Sequence, residues 1–225
     1  MLNVSRRETE RYLGYRGISP ADPETGRLID ACILEIQKCS SPRSLSKTFP
    51  LLRHPDTDSP EGCEFAGIRC SSHSLLRNLK DCDEVVLLAV TLGTGPDMLI
   101  RRASLTDTMK ACVLQAAGAA AVESWCDEVN EAIKKDALEK GLYVRPRFSP
   151  GYGDFPLEAQ RGFENALQMK KNIGISLTDS CMMIPEKSIT AVIGLSKIKR
   201  ECRSSGCEEC TMAGSCEYSR TGRRI

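Results

Sequence analysis

Residues 147–156, RFSPGYGDFP, place two prolines, two glycines, three aromatics, an arginine and an aspartate in ten positions. Neither a helix nor a regular strand accommodates that mixture, so it reads as a loop with a purpose. Arg147 offers a planar guanidinium fork suited to a carboxylate. Pro150 stiffens the chain, and Gly151 removes a side chain so that a ligand can approach the backbone. Tyr152 adds a flat apolar face that ends in a hydroxyl. The competing reading is a plain Pro-Gly turn carrying an exposed arginine.

Other stretches bear on chemistry less directly. QAAGAAAVES at 115–124 is rich in small residues, which fits close helix packing; the sharper reading is that Glu123 projects into a site. LGTG at 92–95 sits between a strand and a helix, where a phosphate can be cradled, but it lacks the third glycine and the lysine of the phosphate-binding fingerprints. The only histidines, His54 and His73, lie in polar surroundings and read as surface residues, which weakens hydrolase and zinc-hydrolase readings. In the last stretch Cys202, Cys207, Cys210 and Cys216 form C-x4-C-x2-C-x5-C, a spacing that suits one shared metal centre, zinc or an iron–sulfur cluster. A reduced tail or regulatory disulfides is the simpler account. Arg220, Arg223 and Arg224 behind it either dock an acidic partner or solubilise the end.

The whole chain bounds these readings. It has 225 residues, 41% of them apolar, enough for a sizeable core. A formal net charge of +1 argues against a nucleic-acid binder or a membrane-surface protein. There is no long uninterrupted apolar run and no apolar signal core in MLNVSRRETERYLGYRG, so the expected compartment is the cytoplasm. Twelve cysteines is a high count, but the missing export signal and the chain length argue against a secreted disulfide scaffold, and most of the twelve are scattered. Cys32, Cys112 and Cys126 fall in helical patterns and are expected to pack as small hydrophobes.

These groups need elements to position them. Residues 1–17 read as a short strand or an arm. Asp22-Pro23 starts a helix over 23–39, with Leu28, Ile29, Cys32, Ile33 and Ile36 at helical spacing. KTFPLL, 47–52, reads as an edge strand because of Pro50, and 53–62 as a polar turn region. Ile68 belongs to another short strand, and Ser72 caps a helix over 73–80. EVVLLAVTL, 84–92, is a strand buried on both faces. A helix over 96–104 follows, then a long one from Thr106 or Asp107 to Lys140, stopped by Gly141. A helix from Pro156 to Lys171 and a hairpin over 174–196, turning at PEKS, complete the body. The domain reading is 1–198 for the body and 199–225 for a cysteine-rich metal-binding tail.

RPRFSPGYGDFPLEAQ, 145–160, resembles the R-x-x-P-G-Y segment of the reactivation domain of cobalamin-dependent methionine synthase. SLTDSCMMIPEKSITAVIGLS, 176–196, resembles that family's L-T-(E/D)-S-x-x-M-x-P-x-x-S-(V/I)-(S/T) stretch, at a similar interval. The resemblance implies an α+β fold, a twisted antiparallel sheet flanked by helices with one long central helix. It implies a domain that binds S-adenosylmethionine and supports reductive methylation of cob(II)alamin, in methionine biosynthesis. Residue by residue, it implies that Arg147 contacts the ligand carboxylate, that backbone groups at Ser149 and Gly151 hold the ligand, and that Tyr152 lies near the cobalt face. Glu123 is the candidate for the family's ligand-binding glutamate.

Two departures stand out: Ile193 or Gly194 occupies the place of the family's ligand-contacting aromatic, and the N-terminal ligand aspartate has no counterpart. No cobalamin-binding module is recognisable. The resemblance therefore implies a standalone accessory component acting on a separate methionine synthase or related corrinoid protein, with an electron donor and without nucleic acid or membrane. The alternatives are an iron–sulfur electron-transfer or redox-sensing protein on the same fold, and a zinc-tailed interaction module.

Overall fold

The computed structural model describes residues 2–15, 21–54 and 62–200. The cysteine tail with Cys202, Cys207, Cys210 and Cys216, and the arginines Arg220, Arg223 and Arg224, lie outside the described residues.

The chain begins with α1 (Arg6–Tyr12), where the sequence suggests a strand or arm. Its sequence, RRETERY, carries no apolar stripe. Ser5 caps the helix by accepting from the Glu8 N–H, and Arg6 pairs with Glu10 one turn on. α2 (Pro23–Cys39) matches the expected range: Asp22 accepts from the backbone of Glu24 and Thr25, and Pro23 takes the first turn, where no N–H is needed.

The main sheet has four antiparallel strands in the order β1 (Arg43–Pro50), β5 (Glu84–Thr91), β9 (Ser188–Ser196), β6 (Tyr143–Val144). Pro50 is tolerated because β1 is an edge strand, as expected. β5 is central, and its alternate residues feed two separate cores. Val86, Leu88 and Val90 face α2, α4 (Gly95–Ser104) and α5 (Thr108–Glu139). Val85, Leu87 and Ala89 face the other layer, with Leu75, Phe155, Phe163, Met169 and Ile173. Helical cover on both faces explains the continuous apolar run. Each fully buried Leu or Val there is worth about 1.5–3 kcal/mol.

α5 is capped by Asp107 and ends before Gly141, whose φ of +70° suits a residue without Cβ. Ala116, Ala117, Gly118, Ala120 and Ala121 are buried along it, so the small-residue run does serve close packing. The second layer holds a three-stranded sheet of β2 (Leu52–His54), β3 (Gly62–Phe65) and β4 (Ile68–Cys70), followed by α3 (His73–Asn78) under its Ser72 cap.

Three further expectations change. The helix predicted from Pro156 to Lys171 is a 3-10 turn (Leu157–Ala159), α6 (Gln160–Leu167) and α7 (Met169–Ile173), broken where Gln168 adopts φ +48°. The break lets Phe163, Leu167, Met169 and Ile173 all reach the same core. The predicted 174–196 hairpin does not form as one unit. β7 (Ser176–Leu177) pairs with β8 (Met183–Ile184), while β9 turns away to join β5 and β6. β5 gives β9 a ladder running from Glu84 to Thr91 with a dry face on each side, which a short hairpin partner cannot match. Cys112 is exposed, not packed; Cys32 and Cys126 are fully buried.

Candidate functional site

The 147–156 loop is pinned at its start. Phe148 exchanges both backbone hydrogen bonds with Val192 of β9, at 2.9 and 2.8 Å, and the Arg145 N–H donates to the Gly194 carbonyl at 2.8 Å. Arg147 lies between these two anchors, so its backbone has little freedom. Its side chain leaves the sheet and reaches α5. There Nη2 donates to Glu123 Oε2 at 2.7 Å and Nη1 donates to Asp127 Oδ1. Glu123 and Asp127 are four residues apart on one helix face, which is what lets one guanidinium take both.

Between them, Cys126 is fully buried beneath the cluster. Burial pushes its thiol up to about 11, with Arg147 opposing and the two carboxylates adding to the rise. Burial also works against the Arg147 charge, but Cys126, Asp127 and Glu123 more than offset it and hold the guanidinium above its ordinary value.

The loop then folds on itself. The Tyr152 N–H donates to the Ser149 carbonyl at 3.2 Å, the Gly151 N–H to the Phe155 carbonyl at 2.8 Å, and the Phe155 N–H to the Tyr152 carbonyl at 2.9 Å. Gly151 has φ +90°, a conformation that strains any ordinary side chain. Phe155 anchors the bend in the core, its ring 6.2 Å from that of Phe148. Asp154 ties the bend to α3 by accepting from Ser72 Oγ at 2.6 Å and from the N–H groups of His73 and Ser74 at 2.7 and 3.1 Å. These bonds, the Ser72 hydroxyl first, hold its carboxyl well below the usual carboxylate range. With Phe155 inside and Asp154 fastened, Tyr152 points outward and is 66% exposed. The backbone that carries this exposed tyrosine is held on both sides by hydrogen bonds.

The structure thus brings Arg147 and Glu123 into direct contact and leaves Ser149, Gly151 and Tyr152 together on the adjoining bend. Ile193 is fully buried and Gly194 packs against Cys82, Leu79 and Arg145, so neither supplies an aromatic to the surface. LGTG is a structural turn: a Cβ on Gly95 would lie 2.0 Å from the Cys39 carbonyl oxygen. His73 is exposed and makes no side-chain contribution to the cluster; His54 lies in β2.

Two site residues have no role in the reading of the sequence, Asp127 and Asp154. Asp127 carries one usable signal, its spacing of four from Glu123. Asp154 carries none, because its partners are about 80 positions away. Among the described residues, no three His, Cys, Asp or Glu side chains converge as a metal site, and no helix is long and apolar enough to cross a membrane. A cavity of about 500 Å³ lies against α5, lined by Tyr12, Leu13, Cys112, Gln115, Ala116 and Ala119.

Residues 80–204, more than half of the chain, match the family model described as vitamin B12 dependent methionine synthase, activation domain. The chain belongs to that family. The match spans α5, the Arg147 loop and β9, the parts that build the cluster. Among solved structures, this activation domain is similar to the MetH reactivation domain bound to AdoHcy. The TM-score is 0.60 at 16% identity, over 90% of this chain and 79% of that one. At that identity the likeness is one of fold, and it agrees with the α+β architecture around a long helix. No curated protein matches the activation domain.

Proposed function

We propose that this activation domain binds S-adenosylmethionine at the Arg147 loop and supports reductive methylation of cob(II)alamin on a separate cobalamin-dependent methionine synthase or related corrinoid protein. The observation that carries the reading is the Arg147–Glu123 contact beside a rigid bend that presents Tyr152, in a chain of this family. The donor set fits an amino acid: a guanidinium for its carboxylate and a carboxylate for its ammonium. The fold neighbour's bound AdoHcy carries the same amino-acid end.

Once bound, S-adenosylmethionine supplies the methyl group and the partner's cobalamin receives it, with an electron from a separate donor. This chain's residues bind and orient. Arg147 holds the ligand carboxylate, Glu123 the ammonium, and the backbone at Ser149 and Gly151 the remaining polar edge. Tyr152 offers a flat surface to the tetrapyrrole and shields the site from water. The tail belongs to the proposal as a second unit, 199–225, in which Cys202, Cys207, Cys210 and Cys216 hold a metal centre on the strength of their spacing, a [4Fe-4S] cluster because reducing cob(II)alamin needs a low-potential electron, with structural zinc as the alternative.

The test is calorimetry of S-adenosylmethionine against wild type and Arg147→Ala, paired with a turnover assay. The substitution is expected to weaken binding by about 1.5–3 kcal/mol, the range for hydrogen bonds to charged groups. Wild type, S-adenosylmethionine and a reductant added to an inactive corrinoid protein should yield methylcobalamin. No heat of binding to wild type overturns the reading.

A further inference from the structure

Arg147 already holds two carboxylates, and a ligand carboxylate meets a cluster of one positive and two negative charges. Resting on the ligand assignment above, we infer that Asp127 is an internal competitor: its carboxylate occupies Arg147 Nη1 in the free protein and is exchanged for the carboxylate of the incoming S-adenosylmethionine.

The two acids are not equivalent. The Asp127 side chain is 67% exposed and that of Glu123 41% exposed. The more exposed acid is rehydrated at little cost when it lets go, since ion pairs open to water are weak. Glu123 is the less exposed of the two and stays to meet the ligand ammonium. Arg147 keeps Glu123 as its anion throughout, so only its Nη1 side has to change partner. Asp127 therefore occupies that second side of the guanidinium when the site is empty, and lowers ligand affinity by having to be displaced. It is a positioning and affinity-setting residue for the amino-acid end of the ligand.

The experiment compares wild type, Asp127→Asn and Asp127→Glu by titration with S-adenosylmethionine, S-adenosylhomocysteine and decarboxylated S-adenosylmethionine. Asp127→Asn is expected to bind the first two about three- to five-fold tighter, the gain from removing one exposed pair. Asp127→Glu should return to the wild-type value. The decarboxylated analogue brings no carboxylate, so Asp127→Asn should not tighten it. Thermal midpoints of the variants show that each is folded.

A general charge effect has the opposite sign, because removing an anion weakens attraction for a net-cationic ligand. Unchanged or weaker binding of S-adenosylmethionine by Asp127→Asn overturns the competitor role while leaving the ligand assignment standing. Absence of binding in wild type and variant alike overturns both.

Discussion

The carboxylate of Asp154 accepts the hydroxyl of Ser72 at 2.6 Å, joining the middle of the 147–156 bend to the cap of α3 across 82 positions of chain. Ser72 in turn accepts from the Leu75 N–H at 3.0 Å, so the bend and the helix share one hydrogen-bonded knot. Asp154→Asn removes the negative charge and one of the two accepting oxygens. It is expected to lower the thermal midpoint and, on the proposed function, to weaken S-adenosylmethionine binding while leaving Arg147, Glu123, Ser149, Gly151 and Tyr152 in place. The folded-state carboxyl is depressed, so its stabilisation is fully present above the unfolded value of about 4 and is lost as pH falls below that. The gap between the melting curves of wild type and Asp154→Asn should therefore be full and constant above about pH 4 and close as pH falls from there towards the depressed folded-state value. A constant gap at every pH contradicts the assignment.

The eight described cysteines are all free thiols and should differ sharply in reactivity. Cys112 is exposed. Cys32, Cys63 and Cys126 are buried, and burial pushes each up to about 11. Since the thiolate is the nucleophile, brief iodoacetamide treatment at about pH 8 should label Cys112 first among the eight and leave those three nearly unmodified. Peptide mass spectrometry reads the order directly, and early labelling of Cys126 would show that the Arg147 cluster opens readily.

Lys187 is 9% exposed, lies across Gly118 and donates to Gln115 Oε1. Burial lowers its pKa, with Glu186 and Asp97 opposing. The unfolded chain therefore binds more protons between the folded value and about 10.4, and stability rises with pH through that window. Lys187→Met keeps the apolar stem and removes the buried charge. It should be neutral or stabilising by about 1 kcal/mol at neutral pH, and the advantage should shrink towards about pH 10. Thermal melts across that range check this, and a loss of several degrees at neutral pH would give the ammonium a structural role instead.

Two glycines separate backbone from side-chain constraint. A Cβ at Gly95 would stand 2.0 Å from the Cys39 carbonyl oxygen, whereas one at Gly118 would meet Lys187 Cε at 2.9 Å. The carbonyl cannot yield without moving the end of α2, so Gly95→Ala should cost about 1–3 kcal/mol or more by urea denaturation. The lysine stem can shift, and alanine gains about 1 kcal/mol of helix propensity over glycine, so Gly118→Ala should be close to neutral.

Elements with strong local patterns are legible in the residues themselves. α2 announces itself through Asp22, Pro23 and a clean apolar period; β5 through an unbroken β-branched run; α5 through its cap at Asp107 and stop at Gly141. α1 is not legible, because its helix rests on the Ser5 cap, on polar pairs and on docking against α5 rather than on an apolar stripe. The split of 174–196 is hidden because β9 prefers the partner that buries it most completely, and that partner lies about 100 residues earlier.

The sequence by itself determined the family, the long helix, the central strand and the loop that carries Arg147, Ser149, Gly151 and Tyr152, since each rests on residue types at short spacing. Tertiary structure alone decided that Arg147 is shared by Glu123 and Asp127, and that Asp154 fastens the bend to Ser72. The physical reason is range. Backbone propensity, capping and apolar period act over a few residues and are written locally, whereas a charge finds its counter-charge only after the sheet and α5 have brought distant segments within hydrogen-bonding reach.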